Sequence, residues 1–216
     1  MMAPPLTLLG TVHLDPAGEA RLRAALGLWR PARVTVDVSP FALEFRRTRG
    51  EALRARLASY RRPDGTLPPG LEAVEAQLAL PYEWTAAQAY VAAVGNLPVE
   101  ALGDSETSRQ WLTLLEHDLF APDNLASLAA ADLPILAEQV AWEWARARRH
   151  WRNGPILGSE ERARQQTEDA RMAGLLADPA RSPGLVHVTG WEHLRGLAAA
   201  LADLGIAVQC FLLIDF

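Results

Sequence analysis

The chain contains no lysine; all 21 of its basic residues are arginine. That absence removes whole classes of chemistry. A P-loop nucleotide hydrolase needs a lysine on the phosphates, and Schiff-base or pyridoxal-phosphate chemistry needs a lysine amine. Cys210 is the only cysteine, so neither an intrachain disulfide nor a thiolate metal cluster can form. A reducing cytoplasm is the expected compartment. No apolar run approaches the roughly 20 residues that span a bilayer. The amino terminus has no basic stretch ahead of its apolar one, which makes it a poor secretory signal. H-E-x-x-H, G-x-S-x-G and G-x-G-x-x-G are all missing.

What is present reads as one α/β domain over residues 1–216. Half of the residues are apolar and 22% are charged, enough apolar surface for a sizeable core. The net charge of −5 offers no field for nucleic acid. Heavy use of Ala, Leu, Arg, Pro and Trp fits a GC-rich bacterial genome. Two arginine-rich stretches, 45–62 and 144–153, read as solvated helix faces. The second is also favourable near a helix C-terminus; the first follows a strand and could line a site.

"LTLLGTV" (6–12) reads as a buried strand. A helix is expected over 15–29, with Asp15 as N-cap and Pro16 at the first helical position. Leu22, Ala25, Leu26 and Trp29 form its apolar stripe. "ARVTVDVS" (32–39) reads as a second strand, parallel to the first through a βαβ connection. Residues 71–95 read as helical with a break at Pro81, and 97–104 as a third strand. From 105 to 178 the pattern is helical, with breaks near 121–124, at Pro134 and at 153–159. This stretch is expected to be an insertion that forms a lobe over the ends of the strands, packed by Trp142, Trp144 and Trp151. A loop (178–184), a strand (185–190), a helix (192–205) and a closing strand (206–216) follow. In that helix Leu194, Leu197, Leu201 and Leu204 are the buried stripe, and Gly205 suits its end. The fold class is therefore α/β, with a central, mostly parallel sheet, flanking helices and a helical insertion over the strand-end crevice.

Two segments share one plan. "LLGTVHLDP" and "LVHVTGWEHLRG" each run strand, Gly-x-x-His, helix, pairing Gly10 and His13 with Gly190 and His193. In open α/β sheets ligands collect beyond the carboxyl ends of the strands. A histidine three residues past a strand-end glycine sits at the mouth of that crevice. The positive end of the helix that follows disfavours imidazolium there, and neutral imidazole is the form that binds metal or accepts a proton. If the two strands are neighbours, both histidines meet in one crevice. Asp37, near the end of the second strand, and Asp104, after the third, could face it too. Two histidines and a carboxylate suit a divalent ion with open positions for water. Bland readings stand beside these: Asp37 as a turn or cap residue before Pro40, Asp104 as the cap of the next helix. His187 reads as a core histidine, His117 and His150 as surface residues, and Cys210 as inert.

These segments resemble the TraB/PrgY, GumN and Tiki proteins, part of a wider grouping with ChaN-like and erythromycin-esterase-like proteins. Residues 8–40 resemble the family's opening, and 185–208 its second Gly-x-x-His segment. Residues 70–81 are similar to a Leu-Glu-x-x-x-x-Gln stretch, 100–111 to a strand-Asp stretch, and 168–176 to the helix before the second motif. The resemblance implies a divalent-metal-dependent hydrolase, of peptidase type in the Tiki branch, using manganese, cobalt or zinc. His13 and His193 would be its metal histidines, Asp37 would stand in place of the family's glutamate, and Asp104 and Glu72 would be assisting catalytic residues. The family's arginine after the middle acidic residue is replaced here by Ser105. Glu168 stands where the helix before the second motif carries another, with Arg171 one turn further on. A non-catalytic binding or regulatory protein on the same scaffold, holding a peptide or an iron-bearing ligand or keeping only a vestigial crevice, is the alternative. The expected partners are a peptide or small molecule and, in a homo-oligomer, further copies of the chain; nucleic acid and a membrane span are not expected.

Overall fold

The computed structural model describes residues 6–95, 98–154, 159–177 and 184–216. The fold is α/β, built on a five-stranded, all-parallel sheet flanked by nine helices among the described residues. The strands are β1 (Leu6–Thr11), β2 (Arg33–Val36), β3 (Val99–Ala101), β4 (Leu185–Gly190) and β5 (Gln209–Leu212). They lie in the order β3-β2-β4-β1-β5. β1 and β4 are buried along their whole length, as expected of central parallel strands covered on both faces.

The connections explain where a crevice opens. α1 (Gly18–Trp29) carries the chain from β1 past β4 to β2; α9 (Leu194–Asp203) carries it from β4 past β1 to β5. Right-handed crossovers running in opposite directions put their helices on opposite faces. The gap between them lies at the carboxyl ends of β1 and β4, the topological switch point. No helix among the described residues is long and apolar enough to cross a membrane.

The remaining helices are α2 (Pro40–Leu57), α3 (Pro69–Gln77), α4 (Tyr82–Val94), α5 (Ser105–Leu114), α6 (Pro122–Ala130), α7 (Leu136–Asn153) and α8 (Ser159–Leu176). They serve two apolar clusters. The main core joins the sheet to α1, α4, α9, and also to α7 and α8 through Val140, Trp144, Ala147, Met172, Ala173 and Leu176. A second cluster unites Phe45 and Leu53 of α2, Leu71 and Val74 of α3, Leu112 of α5, Phe120, and Leu125 of α6. The lobe thus draws on α2 and α3 as well as on the early part of 105–178, while α7 and α8 flank the sheet.

Several local expectations are corrected. Asp15 is not the N-cap of α1: the helix starts at Gly18 after Ala17, and the Asp15 carboxylate lies ahead of it, accepting from the Ala17 N–H at 2.9 Å, the Trp144 indole N–H at 3.0 Å and Arg21. Trp142 and Trp151 point to solvent, and only Trp144 of the three is buried. His150 is buried rather than on the surface, with its ring set edge-on to Trp191 at 5.3 Å. Leu204 is exposed because α9 ends at Asp203. The last strand stops at Leu212 and gives way to a 3-10 turn. The expected loop at 178–184, apart from Gly184, and part of the break at 153–159 fall outside the described residues.

Candidate functional site

β1 and β4 pair in parallel with Thr11 opposite Gly190, so the two Gly-x-x-His segments leave the sheet side by side. Gly10 is needed for this. A Cβ there would stand 3.2 Å from the Trp191 Cα, and Trp191 opens the 3-10 turn that carries His193. The strand glycine therefore admits backbone: the second histidine's turn lies against the first histidine's strand. Beyond β1, Leu14 adopts φ +64, a left-handed conformation that costs an L residue about 1–2 kcal/mol. Buried Asp15 holds the strained turn in place through the bonds described above.

Each histidine is anchored the same way. His13 Nδ1 lies 2.7 Å from Glu83 Oε1 of α4. His193 Nδ1 lies 2.7 Å from Asp169 Oδ1 of α8. Both carboxylates are almost fully buried. Such a partner makes Nδ1 the N–H donor and leaves Nε2 as the outward atom. The cavity walls around His13 lower its pKa, although its side chain is 56% exposed, and the charge and hydrogen bond of Glu83, with the charges of Glu192 and Asp37, outweigh this and raise the value to about 9. His193 follows suit: burial lowers it, and the Asp169 bond with the charges of Asp37 and Glu192 raises it to about 9. Burial in turn pushes Asp169 up, against the pull of His193.

Asp37 enters the same cavity from β2, on the far side of β4 from β1. It extends β2 by one bond, its N–H donating to Val188 O at 2.8 Å, and its Oδ2 accepts the Thr189 hydroxyl at 3.0 Å. The Thr11 hydroxyl lies 3.0 Å from Thr189 O and 3.1 Å from Glu83 Oε1. A polar seam thus crosses the ends of β2, β4 and β1. Asp37 does not cap α2; Ser39 does, accepting from Ala42 N at 2.9 Å.

These residues line one cavity of about 710 Å³, together with Asp104, Glu168, Arg46 and Arg171. Arg46 lies in the first arginine-rich stretch; it donates to Gln77 O at 2.9 Å and Ala42 O at 3.0 Å. Arg171 donates to Leu102 O at 3.3 Å. Asp104 borders the cavity but is the cap of α5, accepting from Glu106 N and Thr107 N. Its bonds from Thr107 hold its pKa low. Glu72 is not part of the cavity. It lines a separate shallow hollow, and its Oε2 accepts from Leu136 N, the first residue of α7, at 3.0 Å.

The expectation of neutral imidazoles is corrected: at about 9, both rings are protonated at neutral pH without an ion, because the buried carboxylates outweigh burial, and a divalent ion would have to displace their Nε2 protons. Two imidazoles tethered through Nδ1 to carboxylates, with an aspartate on the same cavity, are a two-histidine, one-carboxylate set with its supporting shell. Among the described residues, no three His, Cys, Asp or Glu side chains stand close enough together to hold an ion; an ion would have to draw these donors together.

Sequence reasoning missed Glu83, Asp169 and Glu192; Arg46 belongs to the first arginine-rich stretch, which was expected to be able to line a site. The other histidines are separate from the cavity: His187 is fully buried with Nδ1 2.9 Å from the Thr35 hydroxyl, and His117 is exposed. Burial pushes the Cys210 thiol up to about 11, which keeps it unreactive. No family model, curated protein or solved structure matches the chain.

Proposed function

We propose that the chain is a divalent-metal-dependent hydrolase acting on a short peptide or a small ester or amide. One observation carries this reading: two imidazoles, each held by Nδ1 to a buried carboxylate at 2.7 Å, border one strand-end cavity with Asp37. The cavity volume of about 710 Å³ suits a substrate of small-molecule or short-peptide size. His13, His193 and Asp37 would hold the ion, which when bound lowers the pKa of a water and polarises a carbonyl. Glu83 and Asp169 fix the tautomer and ring orientation of the two histidines. Thr189 holds Asp37 in place by its hydroxyl. Arg46 and Arg171 make no ion pair among the described residues. They are the groups that offset negative charge developing on a carbonyl oxygen, in place of the family's missing arginines.

The test is hydrolysis of a panel of peptides and esters with manganese, cobalt or zinc added. The reading expects turnover that a chelator abolishes and that His13→Ala and His193→Ala each lower by more than about 100-fold, with Arg171→Leu costing about 10²-fold through lost charge stabilisation. Turnover that survives both histidine changes would overturn it. The separation of the three donors favours a second reading, a binding protein on the same scaffold. Peptide or haem binding without turnover would establish that one.

A further inference from the structure

α9 carries a glycine, Gly196, in its first turn, where alanine would serve helix stability better. The reason lies on the facing helix. A Cβ built on Gly196 would stand 1.9 Å from Asp169 Oδ2 and 2.9 Å from its Cγ, where no atom can sit. The bare face of Gly196 is therefore the seat of the Asp169 carboxylate. Oδ2 rests against α9 while Oδ1 reaches His193 Nδ1 at 2.7 Å. The first turn of a helix, with its unpaired N–H groups, is favourable ground for an anion. Asp169 has no route of retreat into solvent, being only 3% exposed.

We infer that Gly196 is a positioning residue for His193, acting through Asp169: it leaves the space that lets α8 deliver its carboxylate to the second histidine. A methyl group there has to displace the short Asp169 side chain, and the displacement breaks the bond to His193. Gly174 on α8 is the contrast. A Cβ on that helical glycine meets nothing within 4 Å, so the same substitution there only improves helix propensity.

The inference rests on the proposed function only for the use made of His193; its test needs neither turnover nor metal. In the metal-free protein the His193 ring N–H, held by a buried carboxylate, gives a downfield, slowly exchanging proton resonance, assigned by its loss in His193→Gln. Gly196→Ala is expected to abolish this resonance and Gly174→Ala to keep it. A double-mutant cycle covers the case in which Gly196→Ala folds poorly. In the Asp169→Ala background, Gly196→Ala is expected to leave the thermal midpoint unchanged or raised, because the clashing group has gone. Persistence of the resonance in Gly196→Ala, or an equal loss of stability in both backgrounds, would overturn the role of Gly196 and leave the reading of the cavity standing. Absence of hydrolysis with the resonance behaving as expected would do the reverse.

Discussion

Each cavity histidine depends on one buried carboxylate, and each carboxylate sits inside the apolar stripe of its own helix. Glu83 precedes buried Ala86 and Ala87 by three and four positions; Asp169 precedes buried Met172, Ala173 and Leu176 by three, four and seven. An acid at those spacings faces the core, and a buried acid needs a partner. That pattern was readable in the sequence, but its partner was not, because His13 and His193 lie on other elements. Replacing the carboxylates while keeping their shape, Glu83→Gln and Asp169→Asn, is expected to cost about 10–100-fold in turnover or metal affinity. The same pairs set the pH dependence of stability. His193, at about 9 in the fold against 6.5 as a free side chain, stabilises most below pH 6.5 and loses that contribution as the pH rises through 9. His187 runs the other way. Burial holds it neutral down to about 4, so the fold loses stability as the pH falls from 6.5 toward 4. Denaturation midpoints across pH 4–9 should form a dome whose alkaline limb flattens in Asp169→Asn while its acid limb stays.

At the scale of elements, two carboxylates with candidate catalytic roles turn out to hold helix ends. Glu72 accepts the N–H of Leu136 at the start of α7 from a distant helix, and Asp104 caps α5 locally. The second was legible, since an aspartate followed by Ser-Glu-Thr is a cap pattern; the first was not, since a cap supplied across the fold leaves no local mark. Glu72→Ala is therefore expected to leave turnover unchanged and to lower stability by about 1 kcal/mol, measured by denaturant unfolding beside the activity assay. Strand and helix positions followed the apolar periodicity closely, including the break at Pro81, where α4 begins. They failed at the start of α1, which begins only at Gly18, while the Asp15 carboxylate ahead of it bonds the Ala17 N–H, Arg21 of the helix and the distant Trp144 indole together.

For the whole molecule, the strand order does the decisive work. The sequence repeats Gly-x-x-His 180 residues apart, at His13 and His193; only the placement of β4 beside β1 brings the two histidines to one cavity. Parallel pairing itself followed from the βαβ pattern, but β2 pairs with β4 rather than with β1, which no local signal specifies. The lobe's make-up was hidden for a similar reason. An apolar stripe shows that a face is buried and not what it is buried against, so the union of α2 and α3 with α5 and α6 appears only in the fold. The central claim is that His13 and His193 serve one ligand from the two halves of this sheet. Calorimetric titration of zinc or manganese into the metal-free chain tests it most directly. The account predicts one ion per chain, with affinity lowered at least 100-fold by His13→Ala and again by His193→Ala taken singly. An ion bound as tightly after either replacement would contradict it.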